Sequence, residues 1–349
     1  MDGIPAPLAG GLLLSFATSS LLIDQGRILG CSGVAHATQA ASTKRVLSFF
    51  STNSPIRSDT DGKDESWKTA SVLGLLAGGY ALSSLRGPLE SLVGQPIFDG
   101  AVHGVLRPLM AGLAVGFGTK LARGCTSGHM LIGMARLSPR SIAATCTFFP
   151  FAMITARLFP YALPLNMSAS IATLNLSYLT PSLSLLFLLP IATSLLAHRL
   201  FPSRLASLIQ SFSLSFLFSL GLSLTGMLRP SKVLSFFYVP LSSSSSSLPP
   251  WDPSLALVAL GGLLPNMVAW RLLAKDRAAP RKREKWEVPT GGKIDRRLIF
   301  GSAMFGIGWG LLGVCPGPLL AVLGSKTGGL ALALFTGAFA VGGLLGDRV

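Results

Sequence analysis

Two of the four cysteines sit in segments built alike. Gly116-Phe-Gly-Thr-Lys-Leu-Ala-Arg-Gly-Cys-Thr-Ser-Gly-His129 and Phe305-Gly-Ile-Gly-Trp-Gly-Leu-Leu-Gly-Val-Cys-Pro-Gly-Pro318 each run from a Gly-rich stretch through a Cys into turn-forming residues. A neutral thiol is a weak, polarisable donor and acceptor, and a thiolate is a nucleophile. The residues therefore admit two chemistries. In one, Cys125 and Cys315 touch a sulfur-bearing ion weakly enough to release it, as conduction requires. In the other, Cys125 attacks sulfur with His129 as base. Cys and His four apart can share a helical face, but Gly128 and the turn residues before it interrupt such a helix. No acidic residue lies nearby to orient the imidazole. His36, His103 and His198 keep no metal-ligand spacing with the cysteines, and no P-loop pattern occurs. Neither a metal nor a cofactor is expected.

The elements that must hold these residues are membrane helices. Half of the 349 residues are hydrophobic, 12% are charged and mean hydropathy is +0.58, against about 25% charged residues in a soluble domain. Apolar stretches recur at Pro7 to Ile23, Thr69 to Leu85, Pro108 to Thr119, Ser141 to Ile154 and Pro181 to Ala197. Leu205 to Leu228, Pro253 to Trp270, Leu298 to Cys315 and Gly328 to Gly346 follow. About 20 apolar residues cross a bilayer as a helix, so roughly eight to ten spans are expected. Backbone in lipid must satisfy its own polar groups, and the weak alternation of a β-barrel is missing. The Gly-Cys breaks then read as interrupted, re-entrant helices lining a cavity, with positive helix N-termini aimed at an anion.

The net charge of +15 is unevenly spread: ten of the 29 basic residues lie between Arg271 and Arg297. A basic loop between apolar spans points to the cytosol and away from nucleic acid as a partner. Lys44 to Lys68 reads as a second polar loop, and Ser242 to Ser247 with Pro249-Pro250 as a third. The N-terminal apolar run lacks a basic flank and reads as a span, not a signal peptide.

The chain also repeats itself. Val46-Leu-Ser-Phe-Phe50 recurs as Val233-Leu-Ser-Phe-Phe237, Trp67 as Trp251, and Gly118 with Cys125 as Gly308 with Cys315, at offsets of 187, 184 and 190 residues. Transporters are often built from such repeats, with the pathway between them. The expected organisation is residues 1–160 as one repeat, 161–204 as a linker with one extra span, and 205–349 as the second repeat. One extra crossing inverts the second copy. The fold class is thus an all-α integral membrane protein, a polytopic bundle with a pseudo-two-fold, inverted repeat.

Gly124-Cys-Thr-Ser-Gly-His129 followed by Arg136-Leu-Ser-Pro-Arg-Ser141 resembles the signature of the YeeE/YedE family of sulfur transporters. Ile294-Asp-Arg-Arg-Leu-Ile-Phe-Gly301 and the Cys315 segment resemble its other half. Gly26-Arg-Ile-Leu-Gly-Cys-Ser-Gly33 and Gly221-Leu-Ser-Leu-Thr-Gly-Met-Leu-Arg-Pro230 are similar to further family segments. The likeness runs from about residue 8 to 345, and the chain resembles a fusion of two paired half-proteins. It implies an hourglass-like transporter of thiosulfate, a small sulfur-containing anion, passed along cysteines by S–H···S contacts. Carried over by motif, Cys125 and Cys315 form the relay. Cys31, in a Gly-rich break, is a third member. Gly124, Ser127, His129, Pro316 and Gly317 complete the implied path. Relatives often carry a second Cys where this chain has Ile132, which leaves the sulfur species open. Uptake across the plasma membrane is the expected setting, with the bilayer and a cytosolic sulfur-handling protein as partners. A sulfur-transfer enzyme and a non-transporting sensor are the alternatives.

Several residues have plainer readings. Cys146 reads as a packed apolar residue. His129 lines the path or caps the turn, and Arg123 draws in anions or snorkels to headgroups. Arg107, Lys120, Arg136 and Arg140 read as interface anchors.

Overall fold

The computed structural model describes residues 4–50, 65–98, 104–160, 171–239, 250–289, 293–327 and 329–349. His103 and the Ser242 to Ser247 run lie outside the described residues. The first half holds α1 (Ala6–Gln25), α2 (Cys31–Phe50), α3 (Ser66–Ser84), α4 (Arg86–Val93), α5 (Leu106–Ala122), a π-helical segment (Ser127–Met134) and α6 (Pro139–Leu158). The second holds α7 (Pro181–Leu200), α8 (Ser203–Thr225), α9 (Pro230–Phe237), α10 (Ser254–Leu273), α11 (Arg296–Leu312), α12 (Pro316–Gly324) and α13 (Leu330–Gly346). Among the described residues there is no strand, only an isolated bridge between Pro5 and Thr173.

Local chemistry sets the ends. Pro139, Pro181, Pro230 and Pro316 open α6, α7, α9 and α12, where a missing N–H costs nothing. Asp295 accepts from Leu298 N at 2.8 Å to cap α11. Gly26, Gly226 and Gly313 stop α1, α8 and α11 in the left-handed region, the usual glycine stop.

Each of the nine apolar stretches is centred on one helix. Among the described residues, five helices, α1, α6, α7, α8 and α10, are long and apolar enough to cross a membrane, and α11 with α12, bent by 47°, makes a sixth if the bent pair is one span. The others are shorter or carry more small residues. The outward faces are apolar: Leu188 on α7 is 62% exposed and Leu260 on α10 is 50% exposed. Contiguous apolar surface of this kind is tolerated in lipid and not in water. Residues 44–50, expected to be polar loop, belong to α2; residues 51–64 of that expected loop lie outside the described residues.

The packing is two-fold symmetric. α3 packs on α8 as α10 packs on α1; α13 packs on α5 as α6 packs on α11; α12 meets α3 as the π-helical segment meets α10. Two pairs relate a helix to its own counterpart, α1 with α8 and α5 with α11. Both are antiparallel. Gly10 lies against Gly221 and Thr225, while Gln25 at the other end of α1 donates to Ser207 O and Gln210 Oε1. Gly301 lies against Ala122, and Gly308 against Ala111. Antiparallel counterparts are what an inverted repeat produces. Helix α7 packs on α8 and has no counterpart in this pairing.

One of the three sequence matches is not a structural equivalence. The left-handed stops Gly26 and Gly226 align the α1–α2 and α8–α9 turns at an offset of 200, so Val233–Phe237 at the end of the short α9 corresponds to residues 33–37 in the first turns of α2, while the first pentapeptide lies at the far end of α2. Leu, Ser and Phe are common enough here to match by chance. The 190 offset of the cysteine segments holds, because Arg123 (φ 56°) and Gly313 (φ 73°) occupy the same left-handed position.

The basic segment after α10 is folded onto the end of α1. Arg281 N, Lys282 N and Glu287 N donate to Ile23 O, Asp24 O and Gly26 O, and Arg27 pairs with Glu287 at 3.1 Å. Burial pushes the Glu287 carboxyl up, but Arg283 and Arg27 outweigh this and hold it below the usual carboxylate value.

Candidate functional site

Three helix starts converge between the halves. Cys31 is the first residue of α2, Cys125 stands two residues before the π-helical segment, and Cys315 is the N-cap of α12. The three residues line one small cavity of ≈ 20 Å³, and all three are buried. That volume holds about one water molecule. Ser127 links two of the cysteines: its Oγ accepts from the Cys31 backbone N–H at 2.9 Å and lies 3.3 Å from Cys125 Sγ. Thr126 Oγ1 lies 3.8 Å from Cys315 Sγ. A methyl on Gly317 would come within 3.1 Å of Cys31 Sγ, so the bare first turn of α12 lets the third thiol in. Helix starts present unpaired N–H groups and positive dipole ends, so the chamber combines soft donors with a favourable field for an anion.

The chamber lies between two larger spaces at opposite ends of the bundle. One, of ≈ 220 Å³, is lined by apolar residues including Leu228, Val314 and Leu332. The other, of ≈ 680 Å³, is polar. Its charged side chains are Lys68, Lys120, Arg123, Arg140 and Arg297 against Glu65, Asp295 and Asp347. Lys120 pairs with Asp347 at 2.7 Å, and Lys68 pairs with Glu65. Opposite ends of α13 mark the separation, with Leu332 at the apolar space and Gly346 at the polar one.

The structure brings Cys31, Cys125, Cys315, Ser127 and Gly317 together around the chamber. Pro316 opens α12 beside it, and Gly124 lines the polar vestibule. His129 is turned away. Its Nε2 lies 3.2 Å from Ala122 O and its Nδ1 3.2 Å from Ser141 Oγ, which assigns the proton to Nε2. A side chain at Gly124 would strike that ring at 2.6 Å, so Gly124 and His129 fasten the turn after α5.

Three plainer readings change. Lys120 and Arg140 line the vestibule instead of anchoring only to headgroups, because the end of α5 and start of α6 face it. Arg123 also lines it. Cys146 is on the exposed face of α6, outside the packed core. Arg107 caps helix ends through Leu311 O, Phe159 O and Pro160 O, and Arg136 lies 5.0 Å over the Trp270 ring.

Sequence reasoning missed Thr126, Met227 and Asn266. Asn266, buried in α10, holds Ser15, Thr18 and Leu131 O at 2.9–3.1 Å, tying α1 to the π-helical segment. A lone Asn in an apolar span is the signal that could have found it.

Residues 3–154 match a family described as sulphur transport. Residues 205–347 match one described as a family of unknown function (DUF6691). A probable transporter of Xylella fastidiosa (strain Temecula1) is 40% identical over 136 residues, covering 38% of this chain and 83% of the relative. A second probable transporter of that strain is 35% identical over 152 residues, covering 43% of this chain and 90% of the relative. These relatives are therefore proteins of about half this length.

Proposed function

Because the chain belongs to the YeeE/YedE family of sulfur transporters, we propose that it carries thiosulfate or a related sulfur anion between the thiols of Cys125, Cys315 and Cys31. The observation that supports this most is the common chamber: thiols from both halves around one space, with a cavity at each end of the bundle. An ion at membrane depth must replace its lost water with protein groups. Here S–H groups, the hydroxyls of Ser127 and Thr126, and the positive ends of the helix dipoles are the replacements. None carries a positive charge, so the ion is held without being trapped. The cationic vestibule then offers it a screened place beyond the constriction.

The basic end, with the 271–297 segment, faces the cytosol under the positive-inside rule. Transport then runs from the apolar cavity toward the vestibule, as uptake, with the plasma membrane as the expected location. A nucleophilic reaction at Cys125 is less well supported, because both nitrogens of His129 are engaged by Ala122 and Ser141.

Purified protein in liposomes should accumulate labelled thiosulfate. Cys125→Ala and Cys315→Ala should each lower the rate by about tenfold or more, the cost of one lost hydrogen bond to a charged group. Cys146→Ala should leave it unchanged. A sulfur product formed without net movement of the ion would overturn the proposal.

A further inference from the structure

The outer apolar cavity and the thiol chamber are separate spaces, and two residues line both: Met227 and Pro318. The wall between them is therefore very thin in chemical terms. Pro318 lies in the first turn of α12, and its ring has no rotamers to exchange. Met227 is different. It follows the left-handed stop of α8 at Gly226 (φ 74°). Its backbone is pinned, with Met227 N donating to Leu222 O at 3.2 Å and to Thr225 Oγ1 at 3.3 Å. Its side chain is unbranched, with three rotatable bonds and a polarisable thioether. A flexible side chain on a fixed backbone can change the opening without moving a helix.

The volumes show why something here must move. The outer cavity, at ≈ 220 Å³, has room for a sulfur oxyanion, while the chamber, at ≈ 20 Å³, has room for about one water. The repeat supplies a contrast. At the offset of 200 set by Gly26 and Gly226, the counterpart of Met227 is Arg27. That side chain is clamped: it pairs with Glu287 at 3.1 Å, donates to Gln25 Oε1 and Ser207 Oγ, and lies 4.9 Å over the Trp67 ring. The fold places equivalent side chains at both α-to-α turns, one tied at its head and one lining two cavities.

We infer that Met227 is the gate between the outer cavity and the thiol chamber, and that its bulk limits which anions reach Cys315 and Cys125. This rests on the transport reading for its purpose, though not for its test. A weakly hydrated ion with a terminal sulfur can slide past an apolar thioether, whereas a strongly hydrated oxyanion must first shed its water.

The experiment is thiol labelling, which requires no transport. In a Cys146→Ser background, protein in liposomes is treated from the apolar-cavity side with a small, membrane-impermeant methanethiosulfonate. Modification of Cys125 and Cys315 is followed by mass spectrometry. Met227→Ala should speed labelling by about tenfold and Met227→Phe should slow it by about tenfold, a barrier change of about 1.4 kcal/mol each way. Met227→Leu, close in volume, should stay near the wild-type rate and checks that folding is kept. Equal rates in all four proteins would overturn the gate. Labelling that follows residue 227 in a protein that moves no sulfur anion would uphold the gate and defeat the transport reading instead.

Discussion

Ser127 holds the chamber together at the scale of single residues, since one hydroxyl meets both Cys31 N and Cys125 Sγ. Removing it leaves a buried N–H unpaired and a thiol without its neighbour. Ser127→Ala should cost about 1–3 kcal/mol of stability and lower sulfur-anion uptake beyond the loss of folded protein, with Ser127→Thr closer to wild type. Thermal melting in detergent beside liposome uptake separates the two effects, and an Ala variant normal in both would contradict this role. Cys125, Cys315 and Ser127 were legible because a Cys among turn residues inside an apolar run has few structural uses. Met227 and Thr126 were not, because their neighbours come from remote helices: Thr126 meets Cys315 across 189 residues. His129 was legible as a polar residue in a span but not in its direction, which depends on Ser141 in the next helix.

Helices place these residues by backbone-to-backbone contact. A methyl added at Gly79 of α3 would lie 1.7 Å from Ala321 O of α12, and one at Gly324 of α12 would lie 1.9 Å from Leu76 O of α3. Small residues at such crossings are how membrane helices approach closely. Gly79→Ala should push α12 off α3, cost on the order of 1–3 kcal/mol or more, and reduce uptake although no thiol is touched. Gly337→Ala, with nothing within 4 Å, should be near neutral in the same melting assay. Equal behaviour of the two variants would contradict the packing account. The positions of the apolar helices were readable from hydropathy, but roughly eight to ten spans were expected and, among the described residues, five helices and one bent pair are long and apolar enough; nor was the length of α2 readable. Its polar second half looked like a loop because composition reports solvent, not hydrogen bonding. The chance pentapeptide misled for a related reason, since local identity carries no register unless a turn fixes it. Gly26 and Gly226 do fix it.

Across the whole molecule the repeat is inverted but its two ends differ. The vestibule at the basic end is polar and wide, while the cavity at the other end is apolar and smaller. Trp309 and Phe236, packed in an aromatic cluster with Phe149, stand at the offsets of Thr119 and His36, which hydrogen-bond at 3.0 Å and line the vestibule. Duplication supplied the chamber, and divergence gave its two approaches different chemistry. The central claim is that a sulfur anion passes between the three thiols. Its most direct test is a structure of the wild-type protein soaked with selenosulfate, with the selenium located by anomalous scattering. A selenium peak in the chamber, in contact with the sulfurs of Cys125 and Cys315, is the expected result. Selenium bound only at sites away from all three thiols, in protein that transports the ion, would contradict it.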